Sequence, residues 1–120
     1  MLETIKEGSA IIKIKKAIKI SMEMDVFYNP VMKLNRDISV LLLNSIDAKN
    51  MQIALPLAGS GVRGIRFLKE LKKNKIKSLS LNDYSKKAVN SIKNSLKLNK
   101  INNFAIIKKF NNTIKNKIKI

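Results

Sequence analysis

Cysteine and histidine are both absent from this chain of 120 residues. Without cysteine there is no disulfide and no thiolate nucleophile; without histidine there is no imidazole acid–base catalyst. Together the two absences exclude zinc sites of the usual kind. No apolar run approaches the roughly 18 residues that a membrane-spanning helix needs. The opening MLETIKEGSA has no apolar signal core, so neither a span nor a secretory leader is expected and a cytoplasmic location is. Acids are scarce as well, 8 Asp and Glu against 25 Lys and Arg, which leaves a net charge of +17. Carboxylates, hydroxyls, amides, Lys and Arg remain for any chemistry. The length allows one domain at most, with a modest core.

What is present is skewed. Lys, Ile and Asn supply 22, 18 and 14 residues, whereas Arg occurs three times, at Arg36, Arg63 and Arg66. All three abundant residues have A/T-rich codons, so the skew reads as nucleotide bias. The charge is physical whatever its origin, and it favours a polyanionic partner such as RNA or DNA, held less tightly as salt rises. Arginines that persist where the bias supplies lysine mark positions that need a planar fork of several donors.

The stretch Met51–Asp83, MQIALPLAGSGVRGIRFLKELKKNKIKSLSLND, is the organising unit. An apolar run from Met51 to Leu57 reads as a buried strand, and Gly59-Ser60-Gly61-Val62-Arg63-Gly64 breaks it. From Ile65 the apolar positions take a helical spacing through Leu68 and Leu71. Lys75 to Leu81 then alternates as a second strand and ends on Asn82-Asp83. Strand, glycine turn, helix, strand and acid is the order of a βαβ nucleotide-binding unit. The glycines allow a sharp turn and close approach of a ligand, and the helix N-terminus directs its unpaired N–H groups at it. Asp83, 22 positions after Gly61, is placed to accept the ribose hydroxyls of a nucleoside; the usual spacing is about 20.

On either side of this unit the reading is coarser. Ile12-Lys13-Ile14-Lys15 and Ile18-Lys19-Ile20 alternate as the arms of a β-ribbon over residues 1–25, with a basic amphipathic helix as the poorer fit. Asp25 to Pro30 is a loop. In it Phe27 and Tyr28 either staple the loop to the next helix or form an aromatic wall for a base. Pro30 suits the first turn of a helix over Val31–Ile46, with Val31, Leu34, Ile38, Leu41, Leu42 and Ile46 as its apolar face. Arg36 and Asp37 are adjacent on this helix, which ordinarily means a solvated pair worth little. Ser85 is the expected N-cap of a helix to Leu98, and Phe104–Ile107 a third strand. Residues 26–110 then form one α/β unit and 111–120 a Lys/Asn-rich tail.

Phe27-Tyr28-Asn29-Pro30, Asn35-Arg36-Asp37, Gly61-Val62-Arg63-Gly64-Ile65-Arg66 and Leu81-Asn82-Asp83 closely resemble the tRNA (guanine-26) dimethyltransferase family. The resemblance runs from Glu7-Gly8 to about Asn99. It implies the N-terminal part of a Rossmann-like class I methyltransferase fold, an α/β architecture with an incomplete sheet, preceded by a small β-ribbon and a helix. It implies S-adenosylmethionine as cofactor and tRNA as partner. Arg36, Arg63 and Asp83 look like cofactor contacts, with Gly59 and Gly61 in the turn that approaches the cofactor, and Phe27 like part of the wall beside the target base. The family commonly has an Asp six positions before the residue matching Gly61; Leu55 stands here. Its catalytic Asp-Pro-Phe-Gly motif is absent from the sequence. The resemblance therefore implies a cofactor-binding part, truncated or split and inactive alone, with a second chain carrying the rest as a possible partner. Two alternatives stay open on the residues: a nicotinamide-dinucleotide-binding fragment, and a non-catalytic basic RNA-binding module.

Overall fold

The computed structural model describes residues 2–15 and 26–101. In these, an antiparallel hairpin, β1 (Leu2–Glu7) and β2 (Ala10–Lys15), comes first. A 3-10 turn over Pro30–Met32 leads into helix α1 (Lys33–Ser45). Strand β3 (Met51–Leu55), helix α2 (Val62–Glu70), strand β4 (Ile76–Leu81) and helix α3 (Lys86–Leu98) complete the order. Strands β3 and β4 pair in parallel, Leu55 opposite Leu81, with α2 as the crossover, so the expected βαβ unit is present.

Each element has a local cause. Pro30 starts the 3-10 turn at a position where a missing N–H costs nothing, and the Asn29 side chain caps it by accepting from Val31 N at 3.0 Å. Ser85 caps α3 by accepting from Ala88 N at 3.3 Å. In β4 the period-2 pattern places Leu79 and Leu81 inward, both essentially fully buried. The same alternation in β2 turns Ala10, Ile12 and Ile14 inward and leaves Lys13 and Lys15 outside. One core cluster joins these residues to Val62, Ile65 and Phe67 of α2 and to Ile92 and Leu96 of α3. At its margin the Asn99 amide, itself buried, accepts from Ile11 N at 2.9 Å and donates to Ile11 O at 2.6 Å, taking the place of a neighbouring strand on β2.

Three expectations change. Strand β3 ends at Leu55 rather than Leu57, and α2 begins three residues before Ile65, immediately after Gly61. Strand β2 pairs with Leu2–Glu7; Ile18–Ile20, expected as an arm of the ribbon, and Phe104–Ile107, expected as a strand, lie outside the described residues. The third difference is the face of α1. The face expected to be apolar and buried is the exposed one, with Val31 at 80% and Leu41 at 70% relative exposure. Arg36 and Val40 are buried instead, with Leu43 packed against the core. The helix carries two possible stripes, and the one bearing Arg36 turns inward because a buried carboxylate awaits it there.

Candidate functional site

That carboxylate is Glu7, the last residue of β1 and almost wholly buried. Its Oε1 accepts from Arg36 Nη2 at 2.6 Å and from the Tyr28 hydroxyl at 3.1 Å. Its Oε2 accepts from Arg36 Nε at 2.8 Å and from Arg66 Nη1 at 3.2 Å. Burial pushes the Glu7 carboxyl up, but the Arg36, Tyr28 and Arg66 donors outweigh it and hold the group below its ordinary range. Burial, then the Glu7 charge, push the Tyr28 hydroxyl up. The Arg36 guanidinium also sits 5.2 Å from the centre of the Tyr28 ring, within cation–π range.

All three arginines use a fork that lysine lacks. Arg36 holds Glu7 through two nitrogens and donates in addition to Asn29 O at 2.9 Å. Arg66 grips Glu70 with Nε at 2.7 Å and Nη2 at 3.0 Å, and reaches Asp37 at 2.6 Å with Nη1. The Glu70 bonds foremost raise the Arg66 pKa, against the opposing effect of burial. Arg63 donates to Ser39 Oγ at 2.5 Å and Asn35 Oδ1 at 2.6 Å. Asp37, read from the sequence as the neighbour of Arg36, pairs with Arg66 and with Lys33 at 2.8 Å.

The glycine turn lies at the C-terminal ends of β3 and β4, and neighbouring backbone fixes it. Asn82 N donates to Leu55 O at 3.0 Å, Ala58 N to Asn82 O at 2.8 Å and Gly61 N to Ala58 O at 2.8 Å. Gly59 and Gly61 have φ of 57° and 78°, a region that costs a side chain roughly 1–2 kcal/mol. Gly64 serves packing: a Cβ there would lie 2.5 Å from a Leu81 methyl, so the missing side chain brings α2 down onto the sheet.

Two expected site residues meet at this turn. Asp83 Oδ2 accepts from Gly59 N at 2.9 Å, and its Oδ1 from Ser85 N at 3.0 Å. The half-buried carboxylate thus ties the glycine turn to the start of α3 and keeps further lone pairs on both oxygens. Phe27 O accepts from Ser60 N at 3.1 Å, and its Cβ lies 3.7 Å from where a Gly59 Cβ would be. Phe27 as a residue remains 44% exposed. The two readings of the aromatic loop divide: Tyr28 anchors the loop to α1, and Phe27 stands free beside the glycines. Arg63, in the first turn of α2, is the one arginine bonded to no carboxylate among the described residues. Burial, and then the nearby Arg36 charge, lower its pKa. Arg36, close enough to act on Arg63 by its charge, spends its Nε and Nη2 donors on Glu7 and Asn29.

Sequence reasoning marked Arg66 as a position that needs a fork but missed its carboxylate partners, Glu7 and Glu70. The signal was there: in a chain with 8 acids against 25 basic residues, arginines kept against a lysine bias point to acceptors that need a fork, and for Arg36 and Arg66 these are carboxylates.

A turn of this kind, braced by an acid from the neighbouring strand, can hold a nucleoside-containing cofactor. A family model described as N2,N2-dimethylguanosine tRNA methyltransferase matches residues 8–117. The tRNA (guanine(26)-N(2))-dimethyltransferase of Methanococcus maripaludis is 41% identical over 109 residues, which cover 88% of this chain and 29% of that protein. The tRNA (guanine(26)-N(2)/guanine(27)-N(2))-dimethyltransferase of Aquifex aeolicus is 40% identical over 104 residues, 83% of this chain and 26% of that protein. Trm1 from Pyrococcus horikoshii, solved with S-adenosyl-L-methionine, superposes with a TM-score of 0.69 at 41% identity, over 82% of this chain and 24% of that one. Trm5b from Pyrococcus abyssi, 16% identical with a TM-score of 0.65 over 91% of this chain and 27% of that one, shares the fold alone. The chain spans less than a third of the length of these relatives. Its architecture is α/β of the methyltransferase kind with an incomplete sheet among the described residues. With the family pattern matched from the hairpin turn at Gly8 through the glycine turn and Asp83, the chain belongs to the N2,N2-dimethylguanosine tRNA methyltransferase family.

Proposed function

We propose that this chain is the cofactor-binding part of a tRNA guanine-26 N2-dimethyltransferase, holding S-adenosylmethionine at the Gly59–Gly61 turn. The observation that carries the proposal is the Asp83 carboxylate, fixed by Gly59 N and Ser85 N with acceptor capacity to spare at the tip of β4. The residues present fit the cofactor. Asp83 would accept its ribose hydroxyls, the backbone of the tight turn would lie against it, and Arg63, bonded to no carboxylate among the described residues, would meet its carboxylate end. Arg36 would contribute its remaining donors at the edge. Leu55 supplies no carboxylate where the family has an acid, so affinity should be modest. When bound, the cofactor supplies the methyl group; the side chains here orient it, which is a large share of catalysis in transfer reactions.

Phe27, exposed beside the glycines, would form one wall for the target guanine. The Asp-Pro-Phe-Gly motif is not in the sequence. Methyl transfer would therefore need groups from elsewhere, such as a second chain carrying them. A cytoplasmic setting goes with the tRNA partner. The family match favours this reading over a nicotinamide cofactor.

Calorimetry with S-adenosylhomocysteine tests the site. Asp83→Ala should weaken binding by about 1–3 kcal/mol, whereas Asp47→Ala, at an exposed position after α1, should leave it unchanged. Equal affinities would remove Asp83 from the site, and methylation of tRNA by the purified chain would overturn its dependence on other groups.

A further inference from the structure

We propose that Glu7 is a positioning residue for the aromatic loop and, through it, for the glycine turn. The inference rests on the reading of that turn as the cofactor site, but its physical basis is separate. Glu7 lies 59 positions before Arg66 on a different element, and both of its oxygens accept from the segment that holds Tyr28 and Arg36. Tyr28 donates its hydroxyl to Oε1 at 3.1 Å. Arg36, locked in place by the same carboxylate, donates to Asn29 O at 2.9 Å. Residues on both sides of the Tyr28–Asn29 peptide are therefore tied to one buried acid. The next residue back, Phe27, accepts from Ser60 N at 3.1 Å with its carbonyl.

This contact is close enough to be exclusive. A Cβ at Gly59 would lie 2.8 Å from Phe27 O, so the turn has no slack on that side. Ser60 itself is buried. A path of hydrogen bonds thus runs from Glu7 through Tyr28 and Arg36 to the 27–29 backbone, and from Phe27 O into the turn. Glu70 binds the same Arg66 and accepts from Ser9 N, and among the described residues its carboxylate makes no hydrogen bond to the loop or the turn. That difference separates positioning from general ionic support.

Tryptophan is absent from the sequence, so Phe27→Trp introduces a single indole at the loop. In that background Glu7→Gln, Tyr28→Phe and Glu70→Gln are compared by fluorescence anisotropy at position 27 and by amide exchange at Ser60. Glu7→Gln and Tyr28→Phe should lower the anisotropy and speed Ser60 exchange roughly fivefold. This is the equivalent of one hydrogen bond of about 1 kcal/mol at about 1.4 kcal/mol per tenfold. Glu70→Gln should change neither. Tyr28→Phe leaves every arginine bond to Glu7 in place, so it decides the matter even if Glu7→Gln does not fold. An indole unmoved by Tyr28→Phe, or moved equally by Glu70→Gln, overturns the proposal. So does a loosened indole with Ser60 exchange unchanged. S-adenosylhomocysteine affinity should fall by a similar factor in Tyr28→Phe. If the Phe27→Trp parent and the wild-type chain both fail to bind that ligand, the cofactor reading fails while the anisotropy and exchange still decide the positioning.

Discussion

Replacing Gly61 by Ala tests the glycine turn most directly, because two separate costs fall on one methyl group. Gly61 is the residue before α2 and has φ of 78°; placing a side chain in that region costs about 1–2 kcal/mol. The new Cβ would also lie 2.9 Å from Ile92 Cγ1 and 3.3 Å from its Cγ2. Ile92 is fully buried in the α3 core, so it has nowhere to retreat, and overpacking of this kind costs about 1–3 kcal/mol. The narrower unfolded ensemble of Ala returns about 0.4–1 kcal/mol. The net loss should be about 2–4 kcal/mol, a large part of the roughly 5–15 kcal/mol that holds a domain folded. In urea, followed by far-UV circular dichroism, the midpoint should fall by about 1–2 M for a slope of about 1–3 kcal/mol/M. Ile92→Ala removes both struck carbons and costs about 2–5 kcal/mol alone. The double variant should cost less than the two singles together, by the steric share of about 1–3 kcal/mol. A Gly61→Ala chain as stable as the parent, or a double variant that is strictly additive, refutes the reasoning.

Stability should fall at both ends of the pH scale because of the Glu7–Tyr28 pair. The folded Glu7 pKa is held below its unfolded value of 4.5, so its contribution is complete above that pH and is lost as pH falls through the lower folded value. Tyr28 is shifted upward from 10.0, so its contribution is complete below that pH and is lost as pH rises through the higher folded value. Glu7→Gln should flatten the acid limb of a thermal-melting pH series, and Tyr28→Phe the alkaline limb; unchanged limbs would dissociate the pair from stability. With a net charge of +17, the chain should bind tRNA and an unrelated RNA hairpin about equally. Log affinity should fall with log salt by about 0.7–0.9 per phosphate contact. Filter binding over a salt series checks this, and a preference for tRNA that persists at high salt would contradict it.

Local sequence determined the elements whose cause is local. Asn29-Pro30 and Ser85 set two helix starts, the alternation of Leu79 and Leu81 set the inner face of β4, and three glycines with Asp83 marked the turn between the parallel strands. Most of the fold and the core of the candidate site were legible for that reason. Tertiary structure alone decided the face of α1 and the partners of the arginines. The pattern of Val31, Leu34, Ile38 and Leu41 is a valid apolar stripe, yet the helix buries Arg36 and Val40. Its orientation depends on Glu7, 29 positions away, and on Arg66, 59 positions beyond Glu7. Hydrophobic periodicity records which faces are able to be buried. A desolvated carboxylate must be met by donors wherever the chain can bring them, and that requirement, set by contacts between distant residues, selects the face that is.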